Sequence, residues 1–281
     1  MIAGDLISSA EGRVFRPEKA EVLRQDPEAA MDYQSVIVDF DRTLLHTDKT
    51  VSGYTRSVLL ALRKSGIRLF AATARPERAI TEYLELIPFD AVTTLNGART
   101  ITGTDVFENP VSPRSAEQIL RRLDGIPGTV ISLETGSGLY ANADIPAWSP
   151  AVTDRICELP SREKIYKVLA SHPEMPPERI IGNLPEDTYC SVAEQTLVQI
   201  MSAAATKWNG IRKMLEAFGI PPEKAVYFGD DNDDLEPIRR CGLGVAVRNA
   251  LPCVRDAADE IAGSNDEDGV AVFLSALFSE N

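Results

Sequence analysis

Two groups of closely spaced aspartates are the residues in this sequence best suited to chemistry. Asp39 and Asp41 stand two positions apart at the end of the apolar, β-branched run 35–38. A second group, Gly229-Asp230-Asp231-Asn232-Asp233-Asp234, follows the apolar run Ala225–Phe228. Such runs are typical of buried parallel strands, and ligands bind beyond the carboxyl ends of those strands. We therefore expect both groups to lie at one edge of a sheet and to form a functional site.

The chemistry expected of these carboxylates is the binding of a divalent cation. Ionised carboxylates at short range repel one another and raise each other's pKa unless a cation lies between them. Oxygen ligands without a nearby His or Cys favour a hard ion such as Mg²⁺. Two other interpretations stay open at this point, a solvated loop for the first group and an acidic helix N-terminus for the second. A calcium-binding EF-hand fits poorly, since Arg240 stands near the position that requires Glu.

A carboxylate beside a metal ion points to phosphoryl chemistry. With a metal held by Asp39 and Asp230, Asp39 can act as a nucleophile towards a phosphoryl group, an electrophile that tolerates a carboxylate. The equatorial phosphoryl oxygens then need positive or hydrogen-bonding partners. Thr73 offers a hydroxyl at the end of the predicted strand Ile67–Ala72, and Lys207 offers charge just ahead of a predicted helix. Alone, each is more typical of a capping or solvated residue, so it is their order along the chain that makes them candidates.

The elements around these residues alternate between strand and helix. In the first half, the pattern predicts helix Ser57–Ser65 ending at Gly66, strand Ile67–Ala72, a helix from near Pro76 through Leu84, and strand Asp90–Leu95. In the second half, it predicts helix Trp208–Phe218 closed by Gly219, strand Ala225–Phe228, helix Leu235–Arg240 and strand Gly244–Val247. This alternation predicts right-handed βαβ units and an α/β fold with a parallel sheet.

The middle of the chain follows a different pattern. Two-residue alternation in Thr129–Glu134 and Tyr189–Ile200 predicts antiparallel strands with one solvated face. Ser112 as N-cap and a proline at the first helical position predict a helix over Pro113–Leu123. Glu163–Ala170 fits either a helix or a strand. We therefore expect one α/β domain that is split by an α+β insertion.

The composition excludes several classes of protein. With 281 residues and 44% hydrophobic residues, the chain can bury a sizeable core, and its net charge of −13 opposes binding to nucleic acid or an anionic membrane. It has no apolar run of the roughly 18 residues that a membrane span requires, and its N-terminus lacks the features of a secretory signal. Four widely spaced cysteines indicate buried, reduced thiols. We expect a cytoplasmic protein with neither nucleic-acid nor membrane partners, and an N-terminal extension over residues 1–34 with a short helix around Pro17–Gln25.

Four short motifs, taken in order, resemble those of the haloacid dehalogenase-like hydrolase superfamily. They are Asp39-x-Asp41-x-Thr43, Thr73, Lys207 and Gly229-Asp230-x-x-Asp233-Asp234. Further segments resemble the Cof-type phosphatase subfamily: Thr94-Leu-Asn96-Gly97-Ala98, Arg248-Asn249-Ala250, Ala257-Ala258-Asp259 and Glu267-Asp268-Gly269-Val270-Ala271. The resemblance runs from Ser35 to the end of the chain. It implies a Rossmann-like parallel-sheet core with helices on both faces (35–98 and 202–281), an inserted α+β cap domain (99–201) that binds substrate, and a strand at 163–170.

The resemblance also implies roles for individual residues. Asp39 corresponds to the nucleophile that forms an aspartyl-phosphate, and Asp41 to the general acid and then base, with its backbone carbonyl on the metal. Asp230 corresponds to a further Mg²⁺ ligand, which Asp234 supports indirectly or through water. The phosphoryl group would be bound by Thr73 and Lys207. We also expect substrate or phosphate contacts from Thr43, Arg42, Arg75, Asn96, Gly97 and Asn249, and a metal contact from Asp233. Of these, Arg42 and Arg75 are chosen from their charge, which would offset part of the charge that Asp233 adds, and not from the resemblance.

Four positions depart from the family pattern. Arg42 and Ala74 stand where glycine is usual, Asp233 replaces a common asparagine and Pro237 a common methionine. The leading hypothesis is a Mg²⁺-dependent phosphatase that acts on a small phosphorylated metabolite such as a sugar phosphate. The alternatives are phosphoryl transfer to an acceptor other than water, as in phosphomutase-like enzymes, and a non-catalytic metabolite-binding protein on the same fold. The sequence does not indicate an oligomeric state.

Overall fold

The computed structural model describes residues 33–193 and 195–278. The predicted helix around Pro17–Gln25 and nearly all of the predicted extension 1–34 lie outside these residues. Within the described ranges, no helix combines the length and apolar character needed to cross a membrane. The four cysteines form no disulfide, but only Cys241 is buried, so the prediction that all four are buried is wrong.

An eight-stranded sheet forms the centre of the molecule and confirms the predicted α/β fold. Its strand order is β14-β13-β12-β1-β2-β3-β4-β5, with parallel pairing from β14 to β3 and antiparallel pairing of β4 and β5. The strands are β1 (Ser35–Val38), β2 (Arg68–Ala72), β3 (Ala91–Thr94), β4 (Arg99–Thr102), β5 (Asp105–Glu108), β12 (Ala225–Gly229), β13 (Leu243–Val247) and β14 (Glu260–Ala262). Strands β1, β3, β12 and β13 are buried along their whole length, as apolar strands between helical layers must be.

Helices cover this sheet, and side-chain caps fix the start of two of them, Gly53–Lys64 and Lys207–Phe218. They are α1 (Gly53–Lys64), α2 (Thr81–Leu86), α5 (Lys207–Phe218), α6 (Leu235–Arg240), α7 (Pro252–Ala257) and α8 (Gly269–Leu277). Helix α1 starts four residues before the predicted Ser57, because the Ser52 side chain accepts a hydrogen bond from the Thr55 N–H and caps it there. The helix predicted from Pro76 is instead a 3₁₀ turn, Glu77–Ala79, followed by α2.

A second, six-stranded sheet is inserted between the two halves of the first. Its order is β10-β11-β9-β6-β7-β8, and its elements are β6 (Val130–Thr135), β7 (Leu139–Ala141), β8 (Ala151–Val152), β9 (Ile165–Ser171), β10 (Thr188–Ala193), β11 (Leu197–Ser202), α3 (Pro113–Asp124) and α4 (Pro177–Ile181). The Ser112 cap of α3 is confirmed, and the ambiguous segment 163–170 forms strand β9 from Ile165 onwards. The predicted strand Tyr189–Ile200 is a hairpin, β10 and β11. We call residues 113–202 the inserted unit.

The boundary of the insertion differs from the prediction at its N-terminal side. The sequence analysis assigns residues 99–201 to a cap domain, whereas β4 and β5 pair with the larger sheet next to β3. The β3–β4 connection is a tight turn, which makes antiparallel pairing with the same sheet the direct continuation of the chain. The smaller sheet therefore begins only at Val130. It has its own apolar core, separate from that of the larger sheet.

Candidate active site

The two predicted aspartate groups meet at the carboxyl ends of the neighbouring parallel strands β1 and β12. Asp39 directly follows β1, is 4% exposed, and its backbone N–H donates to the Phe228 carbonyl at 3.0 Å. Asp230 directly follows β12 and accepts a hydrogen bond from Thr43 Oγ1 at 3.1 Å. The turn after Asp39 thus folds back onto the second group. The sequence prediction that both groups lie at one edge of the sheet is correct.

Three of these carboxylates are arranged so that they could hold a metal ion. Asp39, Asp230 and Asp234 are all buried, and each offers an oxygen within 4.8 Å of the others. Burial, reinforced by the neighbouring carboxylates, raises the pKa of Asp39 well above its ordinary value and that of Asp230 to about 7. Buried carboxylates with raised pKa values gain from a cation between them, and an all-oxygen donor set suits a hard divalent ion. The residues therefore fit the metal that the sequence analysis expects.

Lys207 supplies the positive charge of the site. It is the first residue of α5, is 3% exposed, and its Nζ lies 2.8 Å from Asp39 Oδ1, 2.7 Å from Asp234 Oδ1 and 3.2 Å from Asp233 Oδ1. Burial opposes its charge, but the three carboxylates outweigh burial and raise the pKa of Lys207 well above its ordinary value. Lys207 is therefore protonated at neutral pH, with its ammonium directed at the candidate nucleophile.

Asp234 is fully buried, and four hydrogen bonds fix its carboxylate. Oδ1 accepts from Lys207 and from the Tyr227 hydroxyl at 2.5 Å, while Oδ2 accepts from the backbone N–H groups of Asp230 and Asp231 at 2.8 and 2.9 Å. This carboxylate therefore orients both Lys207 and the loop that carries Asp230. Sequence reasoning missed Tyr227, because it stands inside an apolar strand. A buried tyrosine hydroxyl needs a partner, and that is the signal that could have drawn attention to it.

Asp41, the candidate acid and base, is held by two cations. Arg75 donates from Nε and Nη2 at 2.6 and 2.7 Å, and Lys49 Nζ donates at 2.8 Å. Although partial burial raises the pKa of Asp41, these hydrogen bonds outweigh it and lower the pKa to about 2. Asp41 is therefore ionised at neutral pH in this state. Arg75, predicted as a phosphate contact, pairs here with Asp41, and Lys49 was not predicted.

Arg42 and Asn249 hydrogen-bond to each other beside the three carboxylates that could hold a metal ion. Arg42 Nη2 donates to the Asn249 carbonyl at 3.1 Å, and Asn249 Nδ2 donates to the Arg42 carbonyl at 2.8 Å. Arg42 Nε also lies 3.6 Å from Asp230 Oδ2. The structure thus brings both predicted residues to the site. There they hold the turn after Asp39 against the loop after β13.

The loops after β2 and β3 contact each other, the start of α5 and Asp233. Thr73 is buried at the end of β2, and its backbone carbonyl accepts from the Asn96 N–H at 3.1 Å. Gly97 has φ +92°, and a Cβ there would lie 1.9 Å from the Thr206 carbonyl oxygen at the cap of α5. Glycine is therefore required for the loop to pack against the start of the helix that carries Lys207. A direct contact of Gly97 with phosphate stays a prediction.

Two charged side chains of the inserted unit, which sequence reasoning did not select, contact the loops after β2 and β3, and one of them, Lys167, leads to the site. Glu134 on β6 forms a bidentate pair with Arg78, at 2.5 and 2.7 Å. Lys167 on β9 donates to Asn96 Oδ1 at 2.7 Å, Gln199 Oε1 at 2.9 Å and a backbone carbonyl after Thr73 at 3.2 Å. Lys167 lies in a strand of mostly apolar residues, where a charged residue is the feature that could have identified it, whereas half of the residues in β6 are polar and Glu134 does not stand out there.

A cavity of about 410 Å³ lies where the inserted unit meets the larger sheet. Its lining includes Arg78, Thr94, Arg99, Glu134, Gly138 and Tyr166. Thr94 precedes Asn96 by two positions, and Tyr166 directly precedes Lys167. The cavity is thus next to the loops that form the site, and its volume is that of a pocket for a small molecule.

Comparison with known proteins gives matches along most of the chain. A family model described as haloacid dehalogenase-like hydrolase matches residues 36–274. YxeH of Bacillus subtilis (strain 168) is 27% identical over 272 residues, which cover 87% of this chain and 98% of that protein. The 5-amino-6-(5-phospho-D-ribitylamino)uracil phosphatase YitU of the same organism is 24% identical over 265 residues, covering 87% and 97%. A crystal structure of a haloacid dehalogenase-like hydrolase from Bacteroides thetaiotaomicron shares the fold, with a TM-score of 0.77, 22% identity and coverage of 88% and 100%.

Proposed function

Because this chain belongs to the haloacid dehalogenase-like hydrolases, we propose that it is a Mg²⁺-dependent phosphatase acting on a small phosphorylated metabolite, such as a sugar phosphate. The observation that carries the proposal is the position of Asp39. Its carboxylate lies 2.8 Å from the buried ammonium of Lys207 and belongs to the same acidic group as Asp230 and Asp234. A buried carboxylate held by a cation, at the carboxyl end of a central strand, is suited to attack on phosphorus.

The proposed reaction has two displacements at phosphorus. In the first, an Asp39 oxygen forms a bond to phosphorus while the bond to the ester oxygen breaks, and Asp41 gives its proton to the departing alcohol. In the second, Asp41 takes a proton from a water molecule whose oxygen attacks the aspartyl-phosphate, which releases inorganic phosphate and regenerates Asp39. Lys207 and Thr73 would hold the phosphoryl oxygens throughout. These are the roles of nucleophile, acid, base and charge stabilisation that phosphoryl transfer requires.

The metal ion would be held by Asp39 and Asp230, with the Asp41 backbone carbonyl beside them. When bound, it neutralises charge on the phosphoryl oxygens. Asp234 would act by fixing the Asp230 loop and Lys207, since its four hydrogen bonds already occupy both oxygens.

Asp41 has to change partners during this reaction. In the present structure it is ionised and paired with Arg75 and Lys49. To act as an acid it must gain a proton, and the approach of a negatively charged phosphoryl group favours that protonation. Arg75 and Lys49 would then be free to bind negative charge on the substrate. This accommodates the prediction that Arg75 contacts phosphate.

The test is phosphate release from a panel of sugar phosphates, nucleotides and an aryl phosphate, in Mg²⁺ or in EDTA. We expect metal-dependent release by the wild type and none by Asp39→Asn, which keeps the size of the side chain and removes the nucleophilic charge. The exposed neighbour variant Asp231→Asn serves as the control and is expected to retain turnover. Undiminished activity of Asp39→Asn would refute the mechanism. Product analysis separates hydrolysis from transfer to another acceptor, because only hydrolysis releases inorganic phosphate.

A further inference from the structure

Lys167 is a buried cation that extends from the inserted unit to the catalytic end of the larger sheet. It is 3% exposed and donates to Asn96 Oδ1, Gln199 Oε1 and the Ala74 carbonyl at 2.7, 2.9 and 3.2 Å. All three acceptors are neutral. Because a buried charge is costly unless other charges compensate it, this ammonium needs carboxylates nearby, and Asp233 and Glu134 favour its charged form.

A continuous chain of polar contacts leads from Lys167 to the candidate nucleophile. Asn96 accepts from Lys167 through Oδ1 and donates through Nδ2 to Asp233 Oδ2 at 2.5 Å. Asp233 Oδ1 lies 3.2 Å from Lys207 Nζ, which lies 2.8 Å from Asp39. The Asn96 amide can be oriented in only one way here, because an ammonium only donates and a carboxylate only accepts.

Asp233 therefore lies between two ammonium groups. Together with Asp234 and Asp39, it favours the charged form of Lys207. It is also the largest electrostatic influence that favours the charged form of Lys167, whose pKa burial lowers to about 8. The two ammonium groups also repel each other, so Lys167 opposes the net pull that draws Lys207 towards Asp233.

Without Lys167, Lys207 would feel the attraction of Asp233 with no opposing repulsion from the far side of that carboxylate. The ammonium of Lys207 would then be drawn towards Asp233 and away from Asp39 and the phosphoryl group that must bind beside it. Asn96 would also lose the donor that orients its amide. Both effects weaken the interaction of Lys207 with Asp39 and with the phosphoryl oxygens, which the proposed reaction needs at the moment of transfer.

We propose that Lys167 is a positioning residue that acts through Asn96 and Asp233 to keep Lys207 directed at Asp39. The inference rests on the proposed phosphatase function. Since Lys167 belongs to the inserted unit and Lys207 to the larger sheet's helix layer, the charge arrangement is complete only when the inserted unit is seated as it is here. Seating of this unit is then coupled to the chemical step and not only to binding of the substrate.

The experiment is a double-mutant cycle between positions 167 and 233. Steady-state kcat and KM are measured for an aryl phosphate with the wild type, Lys167→Met, Asp233→Asn and the double variant. Relative to the wild type, Lys167→Met is expected to lower kcat about tenfold with a smaller change in KM. Relative to Asp233→Asn, the double variant is expected to lower kcat less than about threefold, because the charge that Lys167 offsets is gone.

Two further variants separate this role from a general effect on the fold. Lys164→Met changes an exposed lysine just before the same strand and is expected to leave kcat unaltered. Lys167→Gln keeps a hydrogen-bond donor, removes the charge and gives a second measure of the coupling if Lys167→Met unfolds. Thermal unfolding of every variant identifies any that lose their structure.

The outcomes separate this inference from the proposed function. An equal fall in kcat in both backgrounds would overturn the inference, because Lys167 would then act independently of Asp233. An increase in KM with unaltered kcat would overturn it in favour of a direct contact with substrate. Absence of phosphate release by the wild type would instead overturn the proposed function, and the inference with it.

Discussion

Asp230→Asn is expected to stabilise the metal-free protein and to remove its response to Mg²⁺. Asp230 is 5% exposed, and burial together with the Asp234 carboxylate raises its pKa from 3.8 to about 7. One pKa unit corresponds to about 1.4 kcal/mol, so keeping Asp230 ionised in the folded, metal-free protein costs about 4 kcal/mol. That is a large part of the roughly 5–15 kcal/mol by which folded domains are stable.

The sign of the effect follows from the direction of the pKa shift. At a pH below 3.8 the carboxyl is protonated in both the folded and unfolded states and costs nothing. As pH rises from there towards about 7, Asp230 ionises in the unfolded state before it ionises in the folded state, so the free energy of unfolding falls. Above about pH 7 the carboxyl is ionised in both states, and this contribution no longer changes with pH. Asparagine has no charge to desolvate and keeps an oxygen that can accept from Thr43. The gain in stability should therefore be present at pH 8 and small at acid pH.

The assay is urea unfolding of the wild type, Asp230→Asn and the exposed control Asp231→Asn, at acid pH and at pH 8, in EDTA or Mg²⁺. In EDTA at pH 8 we expect Asp230→Asn to be the most stable of the three. In Mg²⁺ we expect the wild type and the control to gain stability while Asp230→Asn does not, because metal binding stabilises the ionised carboxylate. A less stable Asp230→Asn in EDTA, or equal stabilisation of all three by Mg²⁺, would refute the reasoning.

Two more predictions concern hydrogen bonds to the charged groups. Tyr227→Phe removes a donor to the Asp234 carboxylate, which also accepts from the Lys207 ammonium, and is expected to lower the free energy of unfolding by about 1.5–3 kcal/mol, against about 1 kcal/mol for Tyr83→Phe, whose hydroxyl donates to a backbone carbonyl. Equal losses in urea unfolding would contradict this difference between the two hydrogen bonds. Arg75→Met is expected to raise the pKa of Asp41 from about 2 by about one to three units, measured by ¹³C NMR titration of the carboxyl group. An unchanged value would show that Arg75 does not hold Asp41.

Local signals in the sequence were enough to predict the positions of the main site residues. Asp39 and Asp230 each follow a short apolar strand, and parallel pairing of β1 with β12 brings the two strand ends together. Ser112 and Gly219 mark helix ends by capping geometry that depends only on adjacent residues, and the structure confirms both. Local signals do not suffice for β4, because its own residues do not indicate which of the two sheets the strand joins.

Contacts between distant residues could not be predicted in the same way. Lys167 contacts Asn96 across 71 positions, and Arg75 contacts Asp41 across 34. The alternation of residues along a strand indicates which face Lys167 lies on, but the identity of its hydrogen-bond acceptors depends on how the inserted unit packs against the larger sheet. Arg75 was expected on phosphate because its positive charge could offset the charge that Asp233 adds to the site. The structure instead satisfies it with the nearest carboxylate, Asp41.

Three of the four departures from the family pattern have a local structural explanation. Arg42 has φ +60°, which lies in the left-handed region and explains why glycine is usual there. The hydrogen bond from its side chain to the Asn249 carbonyl offsets part of the cost of this backbone conformation. Ala74 does not have a positive φ, so its backbone conformation does not require glycine. Pro237 lies in the first turn of α6, where a missing N–H costs little.

Asp233 is the departure that changes the chemistry, because it adds a charge. With Asp39, Asp230 and Asp234 it makes four carboxylates, and among the buried groups only Lys207 and a divalent cation would oppose them, since Arg42 beside Asp230 is more than half exposed. Lys167 offsets part of the added charge from the far side of Asn96, without lying among the carboxylates. Asparagine at position 233 would remove the need for it. The dependence of kcat on Lys167 should therefore follow the residue at 233, and this is the relation that the double-mutant cycle measures.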